Sequence, residues 1–133
     1  MWKSMLEIET EIKNDLTELE DQMSQYTFIV ECGLDLPDYP KQYRTDEYLI
    51  RECQVQTWIC AIYEENLIFM GDSESLIIRG ALSLIREIYN GRSREEVRQF
   101  HCTLIEEGYF RKHFTQEQLQ GLNAILEKLE EKE

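Results

Sequence analysis

The sequence predicts an α+β domain, a small antiparallel three-strand sheet packed against several helices. Three observations carry that class. Two strand-like segments, Val55 to Tyr63 and Leu67 to Gly71, are separated by the polar Glu64-Glu65-Asn66, the length of a hairpin connection. Before and after them, apolar residues recur at the three- and four-residue steps of amphipathic helices. At 133 residues the chain is one domain by length, so 1–133 is read as a single unit.

From Leu6 to Val30 the residues Ile12, Leu16, Leu19, Met23, Tyr26 and Val30 follow the helical period, as one long helix or two consecutive ones. Ser4 with Glu7 forms a capping-box word, and Gly33 after Cys32 reads as a C-terminal stop that Pro37 and Pro40 enforce. Residues 33–48 are turn-rich, with room for a short helical turn, and read as a surface crossing. Tyr48 to Arg51 supplies the expected third strand. In the hairpin, Trp58, Cys60 and Ile62 share one face and Ile59, Ala61 and Tyr63 the other.

Asp72 or Ser73 is then the expected cap of a helix with Glu74 in its first turn. Ile77, Ile78, Ala81, Leu84, Ile85 and Ile88 stay in register over the sheet until Gly91. Ser93-Arg94-Glu95-Glu96 and Thr115-Gln116-Glu117-Gln118 are capping-box words. They open a short helix and a C-terminal helix through Leu122, Ile125, Leu126 and Leu129. No internal repeat is visible, and Glu130-Glu131-Lys132-Glu133 is a low-complexity end.

A net charge of -13 opposes binding to nucleic acid phosphates or anionic membranes, which recruit clustered Lys and Arg, and so favours a protein partner. Arg79, Arg86, Arg92, Arg94 and Arg98 gather in one stretch, for which solvated helix surface is the simpler explanation. The first residues lack an apolar leader, and no apolar run approaches the roughly 18 residues of a membrane span, so a cytoplasmic protein is expected. Four cysteines at irregular spacing, with no CxxC pair, predict reduced thiols without a zinc site, other metal site or disulfide framework.

Cys53 is the strongest candidate for chemistry. It stands where a loop meets a strand, flanked by the polar Arg51, Glu52 and Gln54, and a sulfur nucleophile must be a thiolate that a reactant can reach. Position alone leaves a reactive and an inert loop thiol both open. Cys32, Cys60 and Cys102 fall in packed patterns. Neither His101 nor His113 is tied to Cys53 by sequence, so a Cys-His nucleophile has little support. A helix start accounts for Asp72 and Glu74 without acid-base chemistry. Gly71, Gly80 and Gly91 lie too far apart to cradle a phosphate.

Taken in order, Ile29-Val30-Glu31-Cys32-Gly33-Leu34-Asp35-Leu36-Pro37, Arg44-Thr45-Asp46, Cys53-Gln54 with Trp58, and Gly71-Asp72-Ser73-Glu74-Ser75-Leu76-Ile77-Ile78-Arg79-Gly80-Ala81-Leu82 resemble the SufE-type cysteine-desulfuration proteins, the CsdE group included. His113 and Gly121-Leu122 fit the C-terminal segment of that family, and the resemblance spans residues 21–126. It implies a fold shared with IscU-type scaffolds and a persulfide carrier rather than an enzyme. Such a carrier has no cofactor of its own and accepts sulfur from a SufS-type cysteine desulfurase, whose cofactor is pyridoxal phosphate. It then delivers the sulfur to an iron-sulfur scaffold.

By the same resemblance Cys53 is the acceptor, with Arg51, Gln54, Trp58, Asp72 and Ser73 shaping its loop and pocket. Three positions depart from the family pattern: Glu52 stands for a Gly, Val55 for a Ser and Gln118 for an Arg. These departures motivate a second reading, a non-catalytic module that docks a desulfurase and regulates it. A thiol oxidoreductase is weaker, for want of a resolving CxxC. The association state is open, a homodimer included.

Overall fold

The computed structural model describes residues 3–131. Met1, Trp2, Lys132 and Glu133, the ends of the expected single domain and of its acidic tail, lie outside the described residues.

The N-terminal periodicity resolves into two helices, α1 (Met5–Glu18) and α2 (Gln22–Cys32). The chain turns between them because Asp21 caps α2, its carboxylate accepting the Ser24 N–H at 2.8 Å. Buried Gln25 then donates to the carbonyls of Leu16 and Leu19 at 3.1 and 2.9 Å, satisfying acceptors that the end of α1 leaves open. Ser4 and Glu7 form the expected capping box at the start of α1.

Helix α3 (Leu76–Tyr89) is the centre of the core, with Ile78, Ala81, Leu82, Leu84, Ile85, Ile88 and Tyr89 all buried. Helix α2 crosses it at Gly80 so closely that a methyl group there would overlap the Ile29 carbonyl. Gly33 serves the same crossing. Gly33 is the expected stop of α2, with right-handed helical backbone (φ -67°, ψ -18°), and what it lacks is a Cβ that would press on the backbone at Arg79 and Gly80. Gly91, at φ 85°, is the stop after α3.

The sheet has two strands, β1 (Thr57–Tyr63) and β2 (Leu67–Ser73), antiparallel and in register from Thr57 opposite Ser73 to Tyr63 opposite Leu67. The two faces follow the predicted parity. Ile59, Leu67 and Phe69 join the main core, while Trp58 and Cys60 pack with Tyr39 in a second cluster.

The expected third strand does not form. Residues Asp46–Tyr48 turn as a 3-10 helix, and the N–H groups of Tyr48 and Leu49 bond back to Thr45 and Asp46. The Cys53 N–H closes a second turn onto the Ile50 carbonyl. Between these turns Leu49 is extended and makes an isolated bridge to Trp58.

Strand β2 also runs two residues past the predicted Gly71, because the Glu74 N–H still bonds the Gln56 carbonyl at 3.0 Å. Ser75, not Asp72 or Ser73, therefore caps α3, and Glu74 precedes the helix rather than lying in its first turn. Helices α4 (Arg94–Gln99), α5 (Gly108–Arg111) and α6 (Gln116–Glu131) complete the fold. Both capping boxes form, at Ser93 with Glu96 and at Thr115 with Gln118. No helix among the described residues is long and apolar enough to cross a membrane.

Candidate functional site around Cys53

Two backbone bonds set the loop that carries Cys53. The Ile50 N–H reaches the Thr57 carbonyl at 2.8 Å, and the Cys53 N–H reaches the Ile50 carbonyl at 3.2 Å. The turn delivers the Cys53 side chain to α6, where its sulfur fills the space that a side chain at Gly121 would occupy. No non-glycine residue among those described has a positive φ, so Glu52 stands in ordinary backbone where the family pattern has Gly.

The thiol is half-buried but not sealed. It lines an open pocket of about 190 Å³ together with Gln54, Val55, Ile78, Thr115, Glu117 and Gln118. The loop also borders a second hollow of about 180 Å³, lined by Arg51, Cys53, Gln54 and Gln56 among others. A larger hollow of about 410 Å³ between β1 and α6, lined by Ile59, Ala61, Ile125 and Leu129, has no thiol among the described residues of its wall.

Burial pushes the Cys53 thiol above its ordinary pKa. The Thr57 hydroxyl opposes that shift by hydrogen bonding, and the Glu52 carboxylate adds to it. Among the described residues, no Lys or Arg lines the pocket on the α6 side. Gln118, at the position where the family pattern has Arg, spends its amide oxygen on the Thr115 N–H at 2.8 Å.

The residues expected to surround Cys53 divide into two groups. Arg51 and Gln54 stand on its loop. Trp58 and Asp72 lie opposite each other across the hairpin and belong to a neighbouring cluster. There Trp58 stacks on Tyr39, the Arg44 guanidinium sits 4.9 Å from the Trp58 ring centre, and Asp72 pairs with Arg44 and with Arg79. The Arg79 contact, at 3.1 Å, is a charge pair whose N–H is not aligned for a hydrogen bond. Ser73 joins the two groups, its hydroxyl 2.8 Å from that of Thr57.

The remaining arginines of the predicted basic stretch are spent locally. Arg86 donates to the Phe69 carbonyl, Arg92 is buried on Glu96, Arg94 stacks over Tyr63, and Arg98 pairs with Glu95.

Neither histidine lines the Cys53 pocket. His101 sits between Glu130 and Glu106, which raise its pKa, and His113 pairs with the Gln25 amide, burial lowering its pKa. Of the other thiols, Cys60 and Cys102 are buried, and burial pushes Cys102 up to about 12. Cys32 ends α2, pushed up to about 11 by burial and then by carboxylates of which Glu87 acts most strongly.

Two residues of this site do not stand out from the sequence as part of it. Gly121 carries a signal, since a lone glycine inside an apolar helical repeat marks a close approach. Thr57 carries none, because its partnership with Ser73 depends on strand register.

A family model described as "SufE: Fe-S metabolism associated domain" matches residues 10–133. Among curated relatives, the cysteine desulfuration protein SufE of Wigglesworthia glossinidia brevipalpis is 32% identical over 121 residues, covering 86% of this chain and 81% of that protein. An uncharacterized SufE-like protein of Rhizobium meliloti (strain 1021) is 24% identical, covering 90% of this chain and 89% of its own. The fold is similar to the solution structure of a hypothetical protein from Thermus thermophilus, with a TM-score of 0.71 at 20% identity, over 92% of this chain and 90% of that one. With a family match across nearly its whole length and a cysteine held in an open pocket between the loop before β1, α3 and the start of α6, this chain belongs to the SufE family.

Proposed function

We propose that the protein carries sulfur in iron-sulfur metabolism, taking it from a SufS-type cysteine desulfurase onto Cys53 and passing it to a cluster-assembly scaffold in the cytoplasm. One observation carries this reading: Cys53 is the thiol presented on a loop at the wall of an open pocket, while Cys60 and Cys102 are enclosed.

In the transfer step the Cys53 thiolate attacks the outer sulfur of a persulfide on the partner. A new S–S bond forms at Cys53, the partner's S–S bond breaks, and the departing sulfur keeps the electron pair and takes up a proton. No net oxidation occurs, and no cofactor on this chain is required. Pyridoxal phosphate belongs to the partner, where it would release the sulfur from cysteine.

The rest geometry sets two requirements. The sulfur faces Gly121, so the loop must turn it outward to meet a reactant, and the hollows flanking the loop give it room to do so. The thiol must also lose its proton beside Glu52 with no cation among the described residues lining the α6-side pocket. Apart from Arg51 on the same loop, the positive charge that favours this loss comes from the partner's surface, which the net charge of -13 would also attract.

The regulatory reading has a specific observation in its favour, the carboxylate of Glu52 beside the thiol and the lack of a cationic side chain at Gln118. Cysteine turnover by a desulfurase, with the parent and the Cys53→Ser variant added in turn, separates the two. A carrier loses its stimulation with the variant, whereas a regulator retains it.

A further inference from the structure

Gln25 of α2 is buried, and both ends of its amide are engaged. The nitrogen lies 3.1 Å from the Leu16 carbonyl and 2.9 Å from the Leu19 carbonyl, so its two hydrogens go to the end of α1. Turning the amide over would set its oxygen against two carbonyl oxygens, acceptors facing acceptors with no donor between them. The orientation is therefore fixed, with the oxygen toward His113.

That oxygen is 3.0 Å from the His113 Nε2. An amide oxygen only accepts, so Nε2 carries a hydrogen and donates it, and in the neutral ring Nδ1 is bare. The tautomer of His113 is thus set by the end of α1. Tyr26, next to Gln25, meets the His113 ring edge-on with centres 6.1 Å apart and backs the same junction.

His113 stands two residues before Thr115, whose hydroxyl caps α6 by accepting the Gln118 N–H at 3.1 Å. The chain between them has little slack. The His113 N–H bonds the Phe110 carbonyl at 3.2 Å, the Phe114 N–H bonds the Arg111 carbonyl at 3.0 Å, and the Phe110 and Phe114 rings pack with centres 4.8 Å apart. Phe114 fixes this turn to α5, and His113 fixes it to α2. Thr115, Glu117 and Gln118 form the α6 side of the Cys53 pocket, and Gly121 just beyond them seats the sulfur.

Resting on the carrier reading, we propose that His113 is a positioning residue for sulfur transfer: its Nε2–H, donated to the pinned amide of Gln25, holds the start of α6, and with it the pocket wall and the Gly121 seat, in register with the Cys53 loop. A reactive group is only as well placed as the residues that support it, and here the support is a histidine that never touches the thiol.

The test is peptide-resolved alkylation of the full chain under native conditions with a neutral haloacetamide, reading Cys53 beside the buried Cys102. His113→Phe keeps a ring against Tyr26 and removes the donor. It should speed alkylation of Cys53 several-fold and leave Cys102 at the parent's rate, because the opening is local. His113→Gln, whose amide restores an N–H toward Gln25, should stay close to the parent, and imidazole nitrogen shifts of the parent near pH 8 should show Nε2 protonated and Nδ1 bare. Should His113→Phe not fold, His113→Ala reads the same loss. An unchanged Cys53 rate, a rise of Cys53 and Cys102 in step, a glutamine variant as fast as the phenylalanine one, or the opposite tautomer would overturn the proposal. No sulfur donor enters this experiment. Failed sulfur uptake by Cys53 therefore removes the carrier reading while the alkylation rates stand, and unchanged rates beside normal uptake remove this inference alone.

Discussion

The sulfur of Cys53 lies where a side chain at Gly121 would project, so the loop at rest and helix α6 pack as one unit. A glycine in mid-helix costs about 1 kcal/mol against alanine, and here the missing methyl is the seat of the thiol.

Gly121→Ala separates seating from helix preference. The added methyl evicts the thiol, so alkylation of Cys53 in the folded protein should run at least several-fold faster than in the parent. Overpacking should lower stability by about 1–3 kcal/mol despite the better helix former. Peptide-resolved alkylation and urea denaturation check the two effects. An unchanged alkylation rate with a raised melting temperature would mean that the sulfur does not rest there.

Charge beside the thiol should tune its reactivity. Glu52→Gln removes a carboxylate that disfavours the thiolate, and Gln118→Arg adds a cation to the pocket wall. Both should increase Cys53 alkylation at pH 7.5, the arginine variant more strongly, at a cost of about 0.5–1 kcal/mol for the lost capping-box bond. Initial rates with a neutral haloacetamide are the measurement.

The alkaline limb of stability follows from the raised thiols. Cys53 ionises less readily in the fold than in the unfolded chain, as do Cys32, pushed up to about 11, and Cys102, pushed up to about 12. For a raised pKa the stabilisation is complete below the unfolded value of about 8.5 and is lost as pH climbs through the folded value. Urea midpoints should therefore be level near neutral pH and fall above about pH 8.5. Cys53→Ser should shed part of that slope.

The α2–α3 crossing is a packing constraint independent of the thiol. Gly80→Ala sets a methyl against the Ile29 carbonyl, a backbone atom that cannot rotate aside. A loss of about 3 kcal/mol or more is expected in chemical denaturation. Gly108→Ala, where an added methyl meets nothing nearby, is the matched control and should stay close to the parent.

Local features are legible in the sequence and non-local ones are not. Capping boxes at Ser4, Ser93 and Thr115 are readable because each is written in four consecutive residues, and the hairpin faces because side chains alternate. The third strand is a misreading because Tyr48 to Arg51 is apolar enough for a strand, while turns on both sides leave it only the Leu49–Trp58 bridge and the Ile50–Thr57 bond. The cap of α3 falls later than the sequence suggests. Asp72 is a good cap by type, yet the register with β1 carries the strand through Ser73 and leaves Asp72 to Arg44 and Arg79. Cys53 stands out by its place in the chain. Its seat against Gly121 cannot, since it arises when a loop and a helix distant in sequence meet.

The most direct test of the sulfur-carrier account is peptide mapping by mass spectrometry after incubation with a cysteine desulfurase and cysteine, followed by thiol capping. The account predicts one extra sulfur on the peptide holding Cys53, absent when Cys53→Ala is treated alike. Equal sulfur uptake by Cys53→Ala, or an extra sulfur found on Cys32 in place of Cys53, would contradict it.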